Sequence, residues 1–119
     1  MKPGVTNVTI ANGASLSSAA DCGKGVVCGL LIPSAWTSAK ITFAVSTDGT
    51  TYVPLHGYGT ALYEIAAASV PTAESVVIPL DTGLFFNARY VKVQSGTVAA
   101  ATNQGAARTI GVIVRYTGE

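Results

Sequence analysis

Ile41-Thr42-Phe43-Ala44-Val45-Ser46-Thr47-Asp48-Gly49-Thr50-Thr51-Tyr52-Val53-Pro54-Leu55 carries two signals in one stretch. Its first six residues alternate, with Ile41, Phe43 and Val45 set against Thr42, Ala44 and Ser46. A period of two marks a β-strand, because successive side chains leave opposite faces of the backbone. The alternation stops at Ser46-Thr47-Asp48-Gly49-Thr50, where Asp can bond the turn backbone and Gly tolerates positive φ. A second strand over Thr51–Leu55 then completes a β-hairpin. Asp48 is a turn former on this reading. A calcium ion would need several more oxygen ligands, and no other acid lies near it in sequence.

The same period recurs outward from this hairpin. Ile110, Val112, Val114 and Tyr116 oppose Thr109, Gly111, Ile113 and Arg115, and Val91 and Val93 alternate with Tyr90, Lys92 and Gln94. Strands with one oily and one polar face belong to antiparallel sheets whose outer side is wet. Val5–Ile10, Val26–Ile32, Leu62–Ala66 and Ser75–Ile78 are shorter candidates, which brings the total to about eight strands separated by turn residues. Helical signals are weak. Ala66-Ala67-Ala68 is short and runs into Ser69-Val70-Pro71, and Asp81–Phe85 suits a single helical turn before the strand at Tyr90. A chain of 119 residues is the size of one domain and buries enough surface to fold without a metal or disulfide. The expectation is one all-β antiparallel sandwich over residues 1–119.

Composition excludes several function classes. Charged residues make up 11% of the chain, against about 25% in an average soluble domain. The seven basic residues, Lys2, Lys24, Lys40, Arg89, Lys92, Arg108 and Arg115, are dispersed, so nothing in the sequence forms a phosphate-binding cluster. Neither nucleic acid nor a membrane surface is an expected partner. Although 49% of residues are hydrophobic, no apolar run approaches the roughly 20 residues of a membrane helix. Met1-Lys2-Pro3-Gly4 is not followed by a stretch of signal-peptide character, which points to synthesis in a cytoplasm. Low charge also suits a surface that meets other protein.

Candidate chemistry is sparse. Cys22 and Cys28 flank five residues with no second Cys pair or nearby His, so a zinc site lacks ligands. Two reduced thiols are expected, with Cys28 buried, and a disulfide would require an oxidising compartment. The chain has one His, His56, in a Gly-rich loop, and no Gly-x-Ser-x-Gly elbow, phosphate loop or dinucleotide motif. A hydrolase would require His56 to meet both an acid and a nucleophile. The acids Asp21, Asp48, Glu64, Glu74, Asp81 and Glu119 are scattered. The reading is therefore non-enzymatic, with no catalytic residue, cofactor or metal.

Trp36, after Ile32-Pro33-Ser34-Ala35, reads as a plug at one end of the sandwich, with a sugar platform or interface anchor as the competing role. Two long loops, His56–Ala61 and Ser95–Ala107, are candidate contact surfaces. Tyr58 and Tyr63 lie in or beside the first, and Asn103 and Gln104 in the second. The second loop is uncharged and rich in small residues, so a neighbouring chain is expected to order it.

The hairpin segment Ile41–Tyr52, followed by Ala88-Arg89-Tyr90-Val91-Lys92-Val93, resembles discoidin-type, galactose-binding-like domains, whose fold is a jelly-roll sandwich. The ligand loops of that superfamily have no recognisable counterpart here. The whole chain also resembles small structural proteins of tailed bacteriophages. That resemblance is carried by Val8-Thr9-Ile10-Ala11-Asn12-Gly13-Ala14-Ser15-Leu16-Ser17, Leu31-Ile32-Pro33-Ser34-Ala35-Trp36-Thr37-Ser38-Ala39, the Asp48-Gly49 hairpin, Arg89–Thr97 and Asn103–Arg108. It implies a decoration, or cement, protein on the head surface of a virion. Its partners would be the major capsid protein and copies of itself, as a trimer or lattice. The N-terminal strand, with Val5 and Asn7, and the two loops are the expected contacts. A carbohydrate-binding or adhesion module of a tail or fibre is the alternative, and it predicts exposed aromatics flanked by Asn, Gln or Arg in one concave site.

Overall fold

A computed structural model of the chain describes residues 2–23, 25–59 and 61–116. Eight strands form in order: β1 (Lys2–Ile10), β2 (Ala20–Asp21), β3 (Gly25–Ile32), β4 (Ile41–Ser46), β5 (Val53–Pro54), β6 (Val76–Pro79), β7 (Tyr90–Ser95) and β8 (Arg108–Tyr116). They make two antiparallel sheets of four, ordered β1-β8-β3-β6 and β2-β7-β4-β5. The chain passes repeatedly between the sheets, and this strand order is that of a jelly roll.

The alternation read in β4, β7 and β8 supplies the core. Phe43 pairs with Val93 and Val45 with Val91 in the second sheet. Val8, Ile10, Val27, Leu30, Ile32, Ile110, Val112 and Val114 face them from the first, all buried. The Phe43 ring meets Phe85 edge-on at 5.3 Å and stacks on Tyr63 at 5.9 Å. Trp36 is buried among the core residues, where the plug reading expects it, and its indole N–H points at the Ala39 carbonyl 3.5 Å away.

The hairpin turn forms as read, and its chemistry explains why the returning strand is short. The Asp48 carboxylate accepts from the Ser46 hydroxyl at 2.9 Å and from the backbone N–H groups of Thr50 and Thr51 at 2.8 and 3.0 Å. Those two donors are thereby withheld from the ladder, and Pro54 has none to give. The strand is limited to Val53–Pro54, against Ala44 and Val45, with one further bond from the Leu55 N–H to the Phe43 carbonyl at 3.0 Å. The same N–H groups pull the Asp48 carboxyl down to about 2 from 3.8. A depressed folded-state pKa contributes stability that is complete above the unfolded value and is lost as pH falls through the folded one. An NMR titration of the Asp48 carboxyl is expected to have its midpoint near 2, and a midpoint at 3.8 would contradict this turn.

Other elements depart from the sequence reading. Leu62–Ala66 forms no strand. It touches two different partners, through bridges of Leu62 with His56 and Ile65 with Ile41, and so builds no continuous ladder. The two-residue strand β2 is too short to carry a pattern, yet it continues the second sheet beyond β7. Asp81–Phe85 does form one turn, a 3-10 helix over Thr82–Phe85 capped by the Asp81 side chain, and a second 3-10 turn spans Ala67–Ser69. Cys28 is not the buried thiol that the sequence leads one to expect. Cys22 is fully buried, whereas Cys28 is only half-buried because the register of β3 against β8 shifts between Val27 and Gly29 and takes Cys28 out of the inward row. Both cysteines are free, and burial, aided by the Asp21 charge, pushes the Cys22 thiol up to about 11.

Candidate functional site

The outer face of the first sheet follows directly from its register. With Val8, Ile10, Ile110, Val112, Val114, Leu30 and Ile32 turned inward, the intervening residues of the same strands turn outward. Two rows then cross all four strands. One runs Val5, Ile113, Gly29, Pro79, and the next Asn7, Gly111, Leu31, Val77. Val5 is 57% exposed, Leu31 41% and Val77 61%. The glycines join these side chains into one patch. A Cβ on Gly111 would lie 2.9 Å from Val5 Cγ1 and 3.1 Å from Leu31 Cβ, so both lean over β8 in the space it leaves. Ile113 lies over Gly29 in the same manner. Among the described side chains of these four strands, the exposed charge is Arg115, near one end of the face. A shallow depression of about 230 Å³ at the other end is lined by Asn7, Leu31, Pro33, Ser75 and Thr109.

This is not the wet outer side that antiparallel alternation predicts. The outward row of the second sheet is polar as expected, with the Lys92 ammonium 4.4 Å from the centre of the Tyr52 ring, although Thr42 and Gln94 on that side are buried. The first sheet is apolar on both sides. Period two places Ile113 on the polar face of its strand, and nothing in the sequence marks Leu31 and Val77 as outward.

Of the nominated contact residues, Val5 and Asn7 are exposed and adjacent on this face. Tyr58 is 76% exposed, with its hydroxyl against Gly83. Asn103 is exposed. Two nominations need correction. Tyr63 is half-buried and belongs to the Phe43–Phe85 aromatic cluster, and its hydroxyl accepts from the Asp81 N–H at 3.3 Å. Gln104 is 1% exposed. Its Oε1 accepts from the Thr37 N–H at 2.9 Å and Arg108 Nε at 3.1 Å, and its Nε2 donates to the Ser95 hydroxyl at 2.7 Å and the Thr37 carbonyl at 3.1 Å. The Ser95–Ala107 segment is accordingly ordered by its own chain. Gly96 N–H donates to Lys40, Thr102 N–H to Ser95 and Gln104 N–H to Ala14, all at backbone carbonyls. One buried amide supplies the anchor that small residues lack.

At the end of the sandwich that carries the Asp48 turn, Phe86 is 68% exposed. It lines an open cleft of about 460 Å³ with Gly23, Thr47, Asn87 and Arg89. Arg89 is held there by Asp21 through two contacts of 3.0 and 3.3 Å, which also keep the Asp21 carboxyl below its ordinary value. Phe86 and Asn87 were not singled out in the sequence, where Phe85-Phe86 reads equally well as core. His56 is exposed and lines a third cleft, of about 250 Å³, with Thr42, Gln94 and Val98. Among the described residues no three His, Cys, Asp or Glu side chains are grouped to hold a metal ion, and no helix is long and apolar enough to cross a membrane. Comparison with known protein families, with curated proteins and with solved structures finds no match to this chain.

Proposed function

We propose that this chain is a non-enzymatic virion protein of a tailed bacteriophage, of the head-decoration type. It is made in the host cytoplasm and assembles on the head surface with the major capsid protein and with copies of itself. The observation that supports this reading is the apolar, charge-poor outer face of the first sheet. Apolar surface kept in water carries a penalty of about 25 cal/mol per Å² that is relieved when protein covers it. Decoration works by the same term: one copy touching several shell subunits raises the free energy needed to separate them, and repetition over the shell multiplies the effect. The dispersed basic residues favour protein over nucleic acid as the partner.

Immunogold labelling of purified virions with an antibody against this chain is expected to decorate the heads. Unlabelled particles, with the chain left in the soluble fraction, would exclude a virion role. Label confined to tails or fibres would favour the second reading, a carbohydrate-binding module. Exposed Phe86 beside Asn87 and Arg89 in one open cleft is the arrangement that supports this alternative.

A further inference from the structure

We infer that the outer face of the first sheet is the contact between two copies of this chain, packed sheet against sheet about a two-fold axis. The occupant of this face has to be flat, apolar and nearly uncharged, and the face itself meets those conditions. Val5, Ile113, Leu31, Val77 and Pro79 form its apolar surface across four strands, Asn7, Thr9 and Thr109 are its neutral polar residues, and Arg115 carries the exposed charge at one end. Sheets stack about 10 Å apart through aliphatic side chains of this kind. The second sheet, with Lys92 outward, offers no such match.

Size and charge point the same way. The strands have nine, nine, eight and four residues. At about 3.4 Å of rise and 4.8 Å of spacing per residue, they project about 490 Å² per copy. Two opposed copies therefore cover at most about 1,000 Å², the size of a weak contact whose occupancy follows concentration. The net charge of +1 leaves little long-range repulsion between copies. An isologous contact also closes on itself, so the apolar faces cover one another in pairs and do not propagate, and contacts with a capsid shell would fall to other surfaces of the dimer.

The test is sedimentation velocity of the full chain over a concentration series, with Leu31→Asp and Val77→Asp as disrupting variants and Phe86→Asp, at the end of the sandwich, as control. Wild type and Phe86→Asp are expected to form dimers. Each face variant should weaken association on the order of a hundredfold or more, because every dimer would bury two unpaired carboxylates. Val77 is 61% exposed, so its replacement leaves the fold intact, as circular dichroism will report, even if Leu31→Asp does not fold. A wild-type monomer at millimolar concentration, a trimer, or dimers indifferent to Val77→Asp would each overturn the inference. The inference is separable from the virion reading. Dimers lost on Val77→Asp support it even if the chain is absent from virions, and monomers found on heads refute it while leaving that reading in place.

Discussion

Phe43→Ala is expected to lose about 3–5 kcal/mol of folding stability, the range for removing a large aromatic from a packed core. Phe43 is 2% exposed and sits mid-strand in β4, opposite Val93. Its ring forms the centre of an aromatic cluster, edge-on to Phe85 and stacked on Tyr63, so truncation removes contacts to a 3-10 turn and to the segment following the His56 loop together. The space cannot close easily, because both neighbours are fixed from elsewhere: Phe85 by the turn that Asp81 caps, Tyr63 by its bond from the Asp81 N–H. Urea unfolding followed by the fluorescence of Trp36, the lone tryptophan, measures the loss. A change below about 1 kcal/mol would place Phe43 outside the core.

Gln104→Ala is expected to cost about 2–4 kcal/mol, although a glutamine in a polar loop ordinarily tolerates replacement. The side chain makes four hydrogen bonds from a position 1% exposed, one of them to a guanidinium. Alanine leaves the fully buried Ser95 hydroxyl and the half-buried Thr37 N–H, Thr37 carbonyl and Arg108 Nε without these partners, and each group left unpaired away from water carries a desolvation cost. Because Thr37 follows Trp36, loosening should spread to that end of the sandwich. Hydrogen exchange at the Thr37 amide is expected to accelerate along with the drop in stability. Unchanged exchange would show that the network does not hold the loop.

These two residues mark what the sequence discloses and what it does not. Phe43 is legible because its environment is set by period: Ile41, Phe43 and Val45 share a face whatever the rest of the chain does. Gln104 is not, because its partners Thr37 and Ser95 lie 67 and 9 residues away and nothing in Asn103-Gln104-Gly105 distinguishes the buried amide from the exposed one beside it. The outer face of the first sheet was hidden for a related reason. Alternation in β8 separates Ile110, Val112 and Val114 from Ile113, but the pattern does not say that Ile113 will stand beside Val5 on β1, or Leu31 beside Val77 across β3 and β6. Those adjacencies come from register between distant strands. The jelly roll itself was reachable through strand count and the hairpin resemblance, whereas β2 and the failed strand at Leu62–Ala66 depended on pairings too short to leave a period.

The position of β8 bears on how the molecule comes to be made. It follows the other seven described strands in the chain, yet it lies in the interior of the first sheet, paired with β1 on one side and β3 on the other. Until Arg108–Tyr116 leaves the ribosome, β1 and β3 have no partner between them, and Val8, Ile10, Val27 and Leu30 have only half their cover. Completing the first sheet must therefore wait for β8 and close the loop from Ile10 to Arg108, the kind of long-range step that makes β topologies slow. During that wait the unfinished sheet presents open edges and uncovered apolar residues, the features that make partly folded β proteins prone to aggregate.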